Sequence, residues 1–91
     1  MTRRYRRHPD LRLTALEGEG VALHLGTRRY YSVSESGLDL LDALTQPRTL
    51  DELVAVLMAK YEVTEARATD SAREFVEHGV RTGVLLVEEE P

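Results

Sequence analysis

The stretch "RRYYSVSESGLDLLDAL" (residues 28–44) decides how this chain is read, because its apolar period changes halfway along. Up to Val33 the side chains alternate, with Tyr31 and Val33 to one side and Tyr30 and Ser32 to the other, as a strand requires. Beyond it Leu38, Leu40, Leu41 and Leu44 recur at helical spacing, and Ser34 or Ser36 supplies an oxygen able to cap the first turn. An aromatic strand therefore passes directly into an amphipathic helix. Neighbouring tyrosines and arginines mark that strand, and no catalytic motif is evident in the stretch.

Upstream the period stays at two. "LRLTAL" alternates Leu11, Leu13 and Ala15 with Arg12 and Thr14, and "VALHL" alternates Val21, Leu23 and Leu25 with Ala22 and His24. The connections "EGEG" and "GTR" hold the glycine that tight turns need. These segments predict a three-stranded antiparallel meander. A two-residue turn at Gly26 and Thr27 would oppose Leu23 to Tyr30. A three-residue turn would oppose Leu23 to Tyr31 and Val21 to Val33, and it is preferred because it gathers the larger apolar set on one face.

Downstream the helices continue. "TQPR" ends the first; in "TLDEL", Thr49 and Glu52 form a capping box ahead of a stripe of Leu50, Leu53, Val54, Leu57 and Tyr61. A third helix starts after Thr64 and runs to about Thr82, with Ala68, Ala72, Phe75, Val76, Gly79 and Val80 on one face and Gly83 as its stop. Strands followed by a run of helices predict an α+β domain, resembling a winged helix-turn-helix. Residues 1–10 read as a flexible basic arm, residues 11–87 as a single domain including the short apolar run "VLLV", and residues 88–91 as a solvated acidic tail.

Composition narrows the function. With 91 residues there is room for one modest core, and the 42% hydrophobic content is enough to fold it. The chain has no cysteine, so disulfides and thiolate chemistry are excluded. The basic start lacks the apolar segment of a signal peptide, and no run approaches the length of a membrane span, so a cytoplasmic location is expected. His8, His24 and His78 are scattered with no metal-ligand spacing, no phosphate-loop or nucleophile-elbow motif occurs, and acidic pairs such as Asp51 and Glu52 serve helix capping. A non-enzymatic protein needing no cofactor is the expectation.

Two binding functions remain. A winged helix suggests DNA, yet the third helix sets Glu65, Asp70, Glu74 and Glu77 against Arg67, Arg73 and Arg81, a mixed face unsuited to phosphates. Up to Val33 seven arginines face three acidic residues, so a net charge of -4 leaves the helical half strongly acidic. Only the arm is basic enough for nucleic acid. The alternative is peptide capture: the last strand of a meander has a free edge unless the tail pairs with it, and that edge can accept an added strand. The same edge could pair two copies of the chain when no peptide is present.

Residues 21–87 resemble the PqqD-like family, through "RYYSVSESGLDLLDAL", "PRTLDELVAVLMAKYEV" and "VRTGVLLVEE". Where that family has tyrosine-x-leucine-asparagine after the third strand, this chain has Tyr31, Ser32, Val33 and Ser34, and its terminal glycine-leucine is here Gly83 and Val84. The resemblance implies a RiPP recognition element, a small protein that holds the leader peptide of a ribosomally made precursor for its modifying enzymes. It further implies that the leader adds antiparallel to the third strand, with apolar anchors against the third helix. Carried onto this chain, the peptide site comprises Arg29, Tyr30, Tyr31, Ser32, Val33, Ala68, Ala72, Phe75 and Val76, to which we add Arg28, with Arg29, as a partner for acidic leader residues. Two pathways fit: lasso-peptide assembly, with a separate leader peptidase and cyclase, or pyrroloquinoline-quinone synthesis, with a radical-SAM enzyme.

Overall fold

The computed structural model describes residues 2–17 and 19–90, the side chain of Leu16 excepted. Along the chain β1 (Thr2–Arg7), β2 (Leu11–Leu16), β3 (Glu19–His24) and β4 (Arg29–Ser34) precede α1 (Glu35–Ala43), α2 (Leu50–Lys60) and α3 (Glu65–Thr82), and β5 (Leu85–Glu90) closes it. The expected meander is β2-β3-β4, and three helices follow it, so the α+β class and the order of elements stand.

The helix boundaries follow their caps. Ser34 accepts from the Gly37 N–H at 3.1 Å, and Thr49 and Glu52 complete the reciprocal capping box at 3.2 and 2.9 Å. Thr64 caps α3, and Gly83 ends it with φ 81°, a left-handed conformation that glycine adopts without steric cost. Leu11, Leu41, Leu44, Leu53 and Leu85 are fully buried where the sheet, the helices and β5 meet. Each such side chain contributes roughly 1.5–3 kcal/mol over its exposed state.

The ends differ from the expectation. The supposed flexible arm and solvated tail are β1 and β5, paired antiparallel from Thr2↔Glu90 to Arg7↔Leu85; Met1 and Pro91 lie outside the described residues. A strand ladder is built from backbone bonds and needs no apolar period, which is why periodicity missed it. Opposite charges then line up across it: Arg3 meets Glu89, Arg4 meets Glu90 at 2.7 Å, and Arg6 meets Glu88. Tyr5 anchors the ribbon, packing on the core and exchanging backbone bonds of 2.7 and 2.8 Å with Arg48.

The hairpin register is also corrected. β3 and β4 pair as Leu23↔Tyr30, Ala22↔Tyr31 and Gly20↔Val33, the register rejected from sequence. The connection is a four-residue loop rather than either short turn: Arg28, at φ 60°, donates its N–H to the His24 carbonyl at 2.7 Å. This register turns Gly20, Ala22 and His24 inward and leaves Val21 and Leu23 half-buried on the outer face. Close packing explains the choice, because a Cβ at Gly20 would lie 2.7 Å from Leu38 Cγ, and the inner face has no room for larger groups. His24 is buried on the inner sheet face. Its Nδ1 accepts the N–H groups of Gly26 and Thr27 at 3.1 and 3.3 Å, and its ring lies 4.3 Å from that of His8.

Candidate functional site

The site follows from where β5 goes. Because it pairs with β1, it leaves β4 at the end of the β2-β3-β4 sheet, hydrogen-bonded on one side only among the described residues. Strand bonding alternates, so part of the β4 backbone is turned toward an open edge.

Beneath that edge lies an open cleft of about 420 Å³ between β4 and the second half of α3. Tyr31 and Val33, the inward residues of β4, form one wall, and Phe75, His78, Gly79 and Thr82 of α3 form the other. Gly37 closes the end at the start of α1; a Cβ there would meet Val33 Cγ1 at 2.8 Å and Phe75 Cε1 at 3.4 Å. At the opposite end the Tyr31 hydroxyl donates to the Thr82 carbonyl at 3.4 Å, a long bond. Tyr30 stands on the outer face and is 72% exposed.

The sequence-predicted residues divide into two groups. Tyr30, Tyr31, Ser32, Val33 and Phe75 line the cleft, and Arg28 and Arg29 stand exposed where β4 begins. Ala68, Ala72 and Val76 do not join them: they are at most 2% exposed and belong to the core. The sequence reading took Ala68, Ala72, Phe75 and Val76 of the apolar stripe of α3 as groove, although all but Phe75 are used up by packing into the core, against α2 and β5. Residues 75, 78, 79 and 82 form a neighbouring stripe with the same i, i+3, i+4, i+7 spacing, and His78 and Thr82 hid it by being polar. Ser34, Gly37, Leu41, Val84 and Ala22 also reach the cleft.

Asp39 on α1 accepts from the Tyr61 hydroxyl at 2.5 Å and pairs with Lys60 at 3.1 Å, bracing α1 against the end of α2. The tyrosine hydroxyl, followed by Lys60, holds the Asp39 carboxyl below the usual carboxylate range. The same bond, reinforced by desolvation, pushes Tyr61 up to about 12. Among the described residues no three metal-ligating side chains gather.

The family model for "Coenzyme PQQ synthesis protein D (PqqD)" matches residues 19–85, from the first residue of β3 to the first of β5. The chain belongs to the PqqD family. Of the curated proteins, none matches it. Among solved structures it is similar to TbiB1 in complex with the TbiA(beta) leader peptide, at TM-score 0.76 and 21% identity over 88% of this chain and 93% of that one. It is likewise similar to lasso peptide synthetase B1 complexed with the leader peptide, at TM-score 0.75 and 17% identity over 90% of this chain and 96% of the other. At such identities the likeness establishes a shared fold. No helix of this PqqD-family chain is long and apolar enough to cross a membrane, among the described residues.

Proposed function

We propose that this chain is a non-catalytic RiPP recognition element: it takes up the leader peptide of a ribosomally made precursor as a strand added to β4 and presents it to processing enzymes. The observation that carries the reading is the open β4 edge directly above the cleft against α3. An extended peptide gains main-chain hydrogen bonds at the edge and sends alternate side chains inward, over Tyr31, Val33 and Phe75. Arg28, Arg29, Tyr30 and Ser32 meet its remaining groups. Family membership supports the reading, as does a fold shared with two proteins whose structures hold leader peptides.

The lasso-peptide pathway is favoured by the likeness to lasso peptide synthetase B1, with a leader peptidase and a cyclase as the receiving enzymes. The family's own description favours a second reading, a peptide chaperone of coenzyme PQQ synthesis that serves a radical-SAM enzyme. Neighbouring genes separate the two. DNA binding loses its best argument, because three of the arm's arginines are already paired with Glu88, Glu89 and Glu90.

The test is an amide NMR titration with a synthetic leader peptide from a neighbouring precursor gene. Shifts concentrated in Arg29–Ser34 and along Phe75 to Thr82 are expected. Shifts confined to β1 and β5, or a stronger response to duplex DNA, would overturn the proposal.

A further inference from the structure

Exposed charges of opposite sign stand at the two ends of β4. Arg28 and Arg29 stand where β4 begins, whereas Glu19, paired across from Ser34, Glu35 at the start of α1, and Glu74 on α3 stand around its end. All five side chains are exposed, and among the described residues none enters an ion pair or a side-chain hydrogen bond. Among the described residues five ion pairs form elsewhere, three of them in the ladder of Arg3, Arg4 and Arg6 with Glu88 to Glu90. Unpaired charges of opposite sign thus mark the two ends of one six-residue strand, roughly 17 Å apart at normal strand rise.

Arg28 adds an independent observation. It holds φ 60°, the only described non-glycine residue at positive φ, in a conformation that costs an ordinary side chain free energy and glycine almost none. Strain retained by an exposed residue just ahead of the open-edged strand points to a use for its side chain.

We infer that the cleft selects a charge-polarised peptide: a segment of alternating apolar residues with a cationic group on its amino side and carboxylates on its carboxyl side. The inference rests on strand addition to β4 in the antiparallel sense, which brings the carboxyl side of the peptide to Arg28 and Arg29 and its amino side to Glu35 and Glu74, with Glu19 one strand further back on β3. A peptide entering in the opposite sense meets like charges at both ends, so electrostatics enforces the direction that backbone bonding alone leaves open.

The probe is a labelled peptide alternating leucine and threonine, with a lysine pair at its amino end and a glutamate pair at its carboxyl end. Its control has the two charged pairs exchanged, so composition and net charge are identical. The first should bind about tenfold more tightly at low salt, the advantage should shrink as salt rises, and R28E/R29E should remove or invert it. Far-UV circular dichroism of that variant checks that it is folded. Equal affinities, or tighter binding of the control, overturn the polarity while amide shifts in β4 still uphold strand addition. If neither peptide perturbs β4, strand addition fails and the polarity falls with it.

Discussion

The Tyr31 hydroxyl lies 3.4 Å from the Thr82 carbonyl oxygen, so this ring spans from β4 to the last turn of α3 while the ring of Tyr30 beside it stands 72% exposed. Adjacent strand residues point to opposite faces, and the doubled tyrosine divides its work accordingly. Tyr30→Glu should therefore leave stability within about 0.5 kcal/mol of wild type, as surface changes do, yet weaken leader binding. Tyr31→Ala should cost about 1–3 kcal/mol. Urea denaturation and peptide titration of the two variants check the division.

Arg28→Gly should raise stability by about 1 kcal/mol, since glycine takes the left-handed conformation freely. Affinity for a peptide with carboxylates at its carboxyl end should fall in the same variant. Opposite signs in the two measurements are the expected outcome, and a loss of stability would show that the loop gains from the arginine itself.

Gly37→Val tests the shape of the cleft. The added carbons enter space held by Val33 and Phe75, so they either push those side chains into the cleft or force α1 away from β4. Overpacking of this kind costs about 1–3 kcal/mol, and peptide affinity should drop more than in Tyr30→Glu. Calorimetric unfolding and binding on the same sample separate the two effects.

Tyr61 offers a pH signature. Its folded pKa is raised to about 12 from an ordinary value of 10.0, so the stabilisation is complete below pH 10 and lost as pH climbs toward 12. Asp39 has the opposite sign, its pKa being lowered, so its contribution is present above the ordinary value of 3.8 and disappears as pH falls through the depressed folded value. Spectroscopic titration should show a late-ionising tyrosine component, and Tyr61→Phe should remove it.

Most of the framework was legible because caps and periods are local. Ser34, Thr49 with Glu52, Thr64 and Gly83 each end or begin a helix where the sequence signals it. Register was not legible, because it was decided by how closely Leu38 approaches Gly20, a contact between elements far apart in sequence. Counting apolar residues favoured Val21 and Leu23 as the inner face; the crowded interior took Gly20 and Ala22 instead. The same limit affected α3. An apolar stripe reveals which face is covered and not by what, so Val76 was assigned to the peptide although it is 2% exposed. A charge at Val76 should unfold the domain by stranding itself in the core, whereas Phe75→Ala should chiefly impair binding.

The β1–β5 ribbon brings Thr2 opposite Glu90, and neither residue lines the cleft. The module consequently has one doorway for both of its chain ends. It could be spliced into a surface loop of a larger enzyme, or carry a tether at either end, with the β4 edge still open to a peptide. Held on a short tether, the captured leader would present its modifiable segment at high effective concentration, and delivery would then depend on linker length as much as on affinity.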